Sequence, residues 1–272
     1  MPHVNIFANI AFVTLAGVST MACGIEHHGA PDLDLEYSRA AISAQVNPTG
    51  VAVDDATGQR FFLDPQAGIF EEMPDGELVN RWAPTPELPV LTDLCAVGGG
   101  RFVAAADGDG YVIDIASGAA RQHFCLEPGW DPGFEPGGEI RHLNRSVACD
   151  IEAGLIYGQP QTMPLDGNPL RSEIASYRLS TGRDVEWVPL PSAVYHAGGM
   201  TVLETGQLLL GAGSMLSLYE ADTQRLTTVA NLATAGVEEI DAISIDREAG
   251  TVLLVDAGDN SLVSVTLDSL GL

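Results

Sequence analysis

The 272-residue sequence predicts an all-β chain, a β-propeller of about five four-stranded blades, on three grounds. Five segments share one pattern: an apolar strand, a tight turn ending in Gly, and a second apolar strand. The turn glycines are Gly58, Gly100, Gly154, Gly206 and Gly250, spaced by 42, 54, 52 and 44 residues, which is the recurrence of a propeller blade. The last unit is short of one strand, while the chain ahead of the first unit holds a strand with no neighbour of its own.

The paired strands are GVAVDDATGQRFFLD (50–64), DLCAVGGGRFVAAAD (93–107), SVACDIEAGLIYG (146–158), GMTVLETGQLLLG (199–211) and AISIDREAGTVLLVD (242–256). A third strand follows each: GIFEEM, GYVIDIA, SEIASYRL, SMLSLYEA and SLVSVTL. Turn signals at Asp75-Gly76, Ser117-Gly118, Thr181-Gly182 and Asp222-Thr223 introduce a fourth strand in four units. In the fifth, LDLEYSRAAIS (33–43) supplies it, which closes the ring and removes an open edge. Six blades are the alternative, but 125–145 is too short and too rich in Pro and Gly to hide another. The third unit carries a long insert, Gln159 to Ser172.

Charge narrows the function. Asp and Glu number 37 against 12 Lys plus Arg, a formal net charge of −25, and every cation is Arg. The lack of Lys excludes P-loop NTPases, lysine Schiff-base enzymes and protein kinases. So acidic a surface repels phosphate backbones and anionic headgroups, so neither nucleic acid nor electrostatic membrane binding is expected.

The first residues read as an address. Ile6 to Val18 is apolar apart from Asn9 and Thr14, the length of a signal-peptide core and too short to span a bilayer. Ser19-Thr20-Met21-Ala22 leads to Cys23-Gly24, which resembles the lipobox of bacterial lipoproteins, and that resemblance implies lipidation of Cys23 and retention in the cell envelope, at the outer membrane given Gly24. An ordinary secretory signal is the alternative, with release to the periplasm or exterior. The organisation is then signal and lipobox over 1–23, a tether over 24–34 and one propeller over 35–272, expected to be a monomer. Cys95 and Cys149 lie inside apolar strand patterns and read as buried thiols; the alternative is one disulfide among Cys95, Cys125 and Cys149, with the pairing open.

Pro48-Thr49-Gly50-Val51-Ala52-Val53-Asp54, followed by Asp64, Gly68-Ile69 and Asp75-Gly76, resembles an NHL-type repeat, and VDAGDNSLV (255–263) is similar to that family's strand-turn-strand signature. The resemblance implies a propeller that binds partners, not a reaction.

In a propeller the residues before and within each innermost strand converge on one mouth of the channel. Here they are Asn47 and Thr49, Thr92 and Asp93, His142, Asn144 and Arg145, Tyr195 and His196, then Glu238, Glu239 and Asp241. Their carboxylate and amide oxygens are the donors Ca²⁺ takes, six to eight at a time. The set also resembles the ion site of lactonase-type propellers, which implies Asn47, Asp93, Asn144 and Asp241 as metal ligands, although the flanking lactonase motifs are absent. His142 and His196 suit either acid-base work or plain hydrogen bonding at a strand start. A second candidate is 127–139, three tandem acid-Pro-Gly units whose type II turns present Trp130 and Phe134 to a sugar, peptide or protein. Asp107-Gly108-Asp109-Gly110 lacks the other ligands of a calcium loop and reads as a hairpin turn. No GxSxG, HExxH, GxGxxG or Ser-x-x-Lys motif occurs. The expected function is therefore non-enzymatic binding of a protein, peptide or glycan at the channel rim and the 125–172 loops, with a Ca²⁺-dependent lactonase or esterase as the alternative.

Overall fold

A computed structural model of the chain describes residues 34–106, 109–125, 141–163, 171–190 and 197–272, with the backbone alone at 125, 141–145, 161–163 and 171. Five four-stranded antiparallel sheets form the blades of a β-propeller. Blade 1 is β2 (Gly50–Asp54), β3 (Gln59–Asp64), β4 (Gly68–Glu72) and β5 (Leu78–Trp82). Blade 2 is β6 (Leu91–Gly98), β7 (Arg101–Ala106), β8 (Asp109–Asp114) and β9 (Ala119–Cys125). Blade 3 is β10 (Arg141–Asp150), β11 (Leu155–Met163), β12 (Arg171–Arg178) and β13 (Asp184–Pro189). Blade 4 is β14 (Gly199–Val202), β15 (Leu208–Ala212), β16 (Met215–Glu220) and β17 (Arg225–Asn231). Blade 5 is β18 (Ile240–Asp246), β19 (Thr251–Asp256) and β20 (Ser261–Thr266), with β1 (Tyr37–Ala41) antiparallel to β20, Tyr37 opposite Val265 and Ala41 opposite Ser261. Among the described residues no helix is long and apolar enough to cross a membrane.

The first strand of each blade packs on the first strands of both neighbours, β2 on β6, β6 on β10, β10 on β14, β14 on β18 and β18 on β2, so the inner strands ring a central axis. Each seam between blades has its own apolar cluster. Strand periodicity explains how one strand serves two seams: on β3, Phe61 and Leu63 face blade 2 while Phe62 faces blade 5, and on β19, Val252 and Leu254 face blade 4 while Leu253 and Val255 face blade 1. Second strands are therefore apolar on both faces, as strands covered on both sides must be.

The five turn glycines take φ between 64° and 79°, the left-handed region that only Gly enters without strain. At the Asp222-Thr223 turn the same conformation falls on Gln224. Asp54, Asp114, Asp150 and Asp246, each at a strand end, accept hydrogen bonds from Ala56, Ser117, Ala153 and Ala249 N–H groups at 2.8–3.0 Å. Many of the acids thus close turns, a local role that needs no ligand.

Blade 3 differs from its expected form. Much of the stretch from Gln159 to Ser172, read as an insert, continues the sheet: Gln161 pairs with Ser172, Thr162 with Arg171, and Arg141 with Met163. Alternating polar residues along 159–163 obscured a strand that apolar patterning alone ends at Gly158. The cysteines also depart from expectation, because Cys95 and Cys149 form a disulfide, Cα to Cα 5.7 Å, joining β6 to β10. The two residues stand opposite one another on adjacent inner strands, a placement their apolar surroundings do not reveal.

Candidate functional site

The inner strands run from an entry mouth, where β2, β6, β10, β14 and β18 begin, to an exit mouth, where they end. At the entry mouth the chain feeding each inner strand must be held against the blade. In blades 1 and 5 one buried Asp at the end of the second strand does this. Asp64 accepts from the N–H groups of Asn47 at 2.9 Å, Gln66 at 2.8 Å and Ala67 at 2.9 Å. Asp256 accepts from Glu239 and Gly258 N–H at 3.1 Å, and Arg39 on β1 reaches it at 2.7 Å. Burial alone would raise the pKa of Asp64, but the three N–H donors outweigh it and hold the carboxyl below its usual value.

Asp93 on β6 is fully buried. Its carboxylate accepts from its neighbour Leu94 N–H at 2.8 Å and from Val147 N–H on β10 at 3.1 Å. Burial pushes its pKa well above the ordinary 3.8, against those two donors, and the charge of Asp241 on β18 pushes it further. Val147 follows an irregularity in β10 after Asn144, and it gives its N–H to Asp93 across the seam. Beside it, Ser146 donates to buried Gln159 at 3.2 Å, and Gln159 donates to Ser172 at 2.9 Å, a polar row across β10, β11 and β12.

Among the described side chains, the fold brings predicted residues Asp93 and Asp241 into electrostatic reach of one another. Asn47 is exposed, with its backbone N–H tied to Asp64. Glu238 and Glu239 are exposed, their N–H groups held by Asp256. Thr92 donates to the Ala105 carbonyl at 3.4 Å, and the Thr49 hydroxyl is buried with no hydrogen-bond partner among the described residues. His142, Asn144 and Arg145 sit within β10, His142 opposite Thr162 and Asn144 opposite Pro160. Tyr195, His196, Trp130, Phe134 and Cys23 lie outside the described residues. Among those described, no three His, Cys, Asp or Glu are grouped closely enough to hold a metal ion.

Two open spaces among the described residues lie along the channel and at its other end. A narrow channel of about 40 Å³ runs between the inner strands, lined by Val51, Leu94, Cys95, Ala148, Met200 and Ile243 among others. A cavity of about 440 Å³ lies at the exit mouth, bordered by Asp55, Cys149, Asp150, Glu152, Glu204 and Arg247. Arg247 ties three blades there: it pairs with Asp55 and with Glu204 at 3.4 Å and donates to the Val202 carbonyl at 3.3 Å. Sequence reasoning placed the channel site where the strands begin; the signal it passed over at this end is an Arg in a hairpin turn of a chain with few cations.

No protein-family model matches the chain, and neither does any curated protein. Similar solved structures include a gluconolactonase from Xanthomonas campestris, at 14% identity over 86% of this chain and 90% of that one, TM-score 0.51. Others are a virginiamycin B lyase from Staphylococcus aureus, at 12% identity over 86% and 100%, TM-score 0.46, and a luciferin-regenerating enzyme, at 13% identity over 85% and 95%, TM-score 0.49. At 14% identity the likeness to the gluconolactonase is one of fold alone, and the fold it supports is the propeller.

Proposed function

We propose that the chain is an exported propeller, anchored in the cell envelope through lipidated Cys23, that binds a protein, peptide or glycan at the entry mouth without catalysis. The observation that carries this is the dispersal of the mouth's polar groups. Asp93 is occupied by two backbone donors, and Asn47, Glu238 and Glu239 expose their side chains to water, so the described side chains of the mouth make a polar surface and, among themselves, no closed cage of oxygens. With a net charge of −25, a partner bearing basic groups is drawn in fastest. In the same reading β1 completes blade 5 and closes the ring, supported by its five-residue ladder to β20 and by Arg39. The test is titration with an Arg-rich peptide at two salt concentrations. Binding that weakens with salt and falls about tenfold in Glu238→Gln/Glu239→Gln is the expected outcome; affinity unchanged by those substitutions overturns the placement. Cys23→Ser is expected to move the protein from the detergent phase to the aqueous phase.

A second reading, a Ca²⁺-dependent lactonase or esterase at the same mouth, draws on the proximity of Asp93 and Asp241, which a divalent cation would relieve. The described side chains fall short of it: two carboxylates, one already accepting from two N–H groups, do not by themselves supply six oxygens. Lactone turnover that requires added Ca²⁺ and disappears in Asp241→Asn and His196→Ala would establish it.

A further inference from the structure

The seam between blades 2 and 3 is joined by an apolar cluster, by the His123 ring nitrogen 2.8 Å from the Leu179 carbonyl, and by three further contacts. The Phe124 and Tyr177 rings stack at 4.2 Å, Asp93 accepts from Val147 N–H, and Cys95 is bonded to Cys149. The last two are consecutive rungs, since Cys95 is two residues beyond Asp93 on β6 and Cys149 two residues beyond Val147 on β10. Two residues along a strand return a side chain to the same face, so the Asp93 and Cys95 side chains share a face of β6 and both reach β10. The disulfide is also reachable. Both cysteines are only half-buried, Cys95 and Cys149 line the channel, and Cys149 borders the 440 Å³ cavity at the exit mouth as well.

We propose that the Cys95–Cys149 disulfide is a redox-addressable clasp on this seam, opened by a small dithiol entering at the exit mouth, and that opening it loosens the contact that seats Asp93. The inference goes beyond the binding reading and does not depend on what the entry mouth takes. The chemistry is thiol-disulfide exchange. A thiolate of the dithiol attacks the Cys149 sulfur, the S–S bond breaks, and Cys95 leaves as a thiolate that takes up a proton. The second thiol of the reagent then attacks the mixed disulfide, releasing Cys149 and the cyclic oxidised dithiol. Two electrons pass to the protein, and no other reactant is needed.

The full chain is incubated with dithiothreitol without denaturant, alkylated with iodoacetamide and mapped by mass, while amide hydrogen exchange is followed at Val147 and, as a remote reference, at Leu63 on β3. The expected result is alkylation of both Cys95 and Cys149, with Val147 exchanging at least about tenfold faster and Leu63 unchanged. Cys95→Ser/Cys149→Ser should exchange like the reduced protein and ignore dithiothreitol; if that variant does not fold, reoxidation of the reduced wild type must restore slow exchange at Val147. Three results overturn the proposal: a disulfide that resists dithiothreitol until the protein is denatured, reduction that leaves Val147 exchange unchanged, or reduction that speeds Val147 and Leu63 alike.

Discussion

The Asp93 carboxylate on β6 accepts a hydrogen bond from the Val147 N–H on β10 at 3.1 Å, so a fully buried acid of blade 2 is seated by the backbone of blade 3. Two of the residues that define the channel mouth are thereby one structural unit. Asp93→Ala leaves two buried N–H groups without acceptors, and an unmet buried donor costs about 1–3 kcal/mol. The loss is expected to reach about 2–4 kcal/mol by urea denaturation, with Asp93→Asn, which keeps one acceptor oxygen, losing less.

Asp64 gives the pH dependence. Its folded carboxyl lies below the ordinary 3.8, so its contribution is present above that value and is lost as pH falls through the folded value. Asp64→Ala is therefore expected to cost about 1–3 kcal/mol at pH 7, and the gap between the variant and wild type is expected to shrink below about pH 4. Denaturation midpoints at pH 7, 4 and 3 check it.

Arg39 tests the role of β1. It pairs with Asp256 at 2.7 Å and Asp259 at 2.6 Å and donates to the Ala235 carbonyl at 3.3 Å. Because Arg39 is a quarter exposed, Arg39→Ala is expected to lose about 1–3 kcal/mol, less than a sealed ion pair would. Deleting residues 34–43 exposes the β20 edge and is expected to yield dimers or aggregates by light scattering.

Gly199 marks a close approach of backbones. A Cβ there would run into the Ala242 and Ile243 backbone of β18, which no side-chain movement relieves. Gly199→Ala is expected to lower the thermal midpoint, with a stability loss of about 1–3 kcal/mol, while Gly206→Ala, whose turn has open space, pays only the strain of its positive φ.

The repeat was legible because its signals are local. Gly58, Gly100, Gly154, Gly206 and Gly250 occupy the turns they announce, and the runs around Phe62 and Leu253 are apolar on both faces because two seams cover them. The site was legible only in part. Asp93 and Asp241 come within electrostatic reach because the ring brings the starts of β6 and β18 to one mouth, which residue type and blade register together foretell. Asn47 was misleading, since what holds it is its backbone N–H on Asp64 and its side chain points to water. The Cys95–Cys149 bond and the Arg247 junction depend on which strands lie side by side at the exit mouth, and no pattern within a single repeat records that.

The measurement that bears most directly on the dispersed entry mouth is calorimetric titration of the full chain with Ca²⁺, alongside Asp93→Asn and Asp241→Asn. Side chains spread as described predict no saturable site, with the heats of all three proteins alike. Stoichiometric binding by the wild type that both substitutions abolish would show that the oxygens gather around an ion, and would contradict the account.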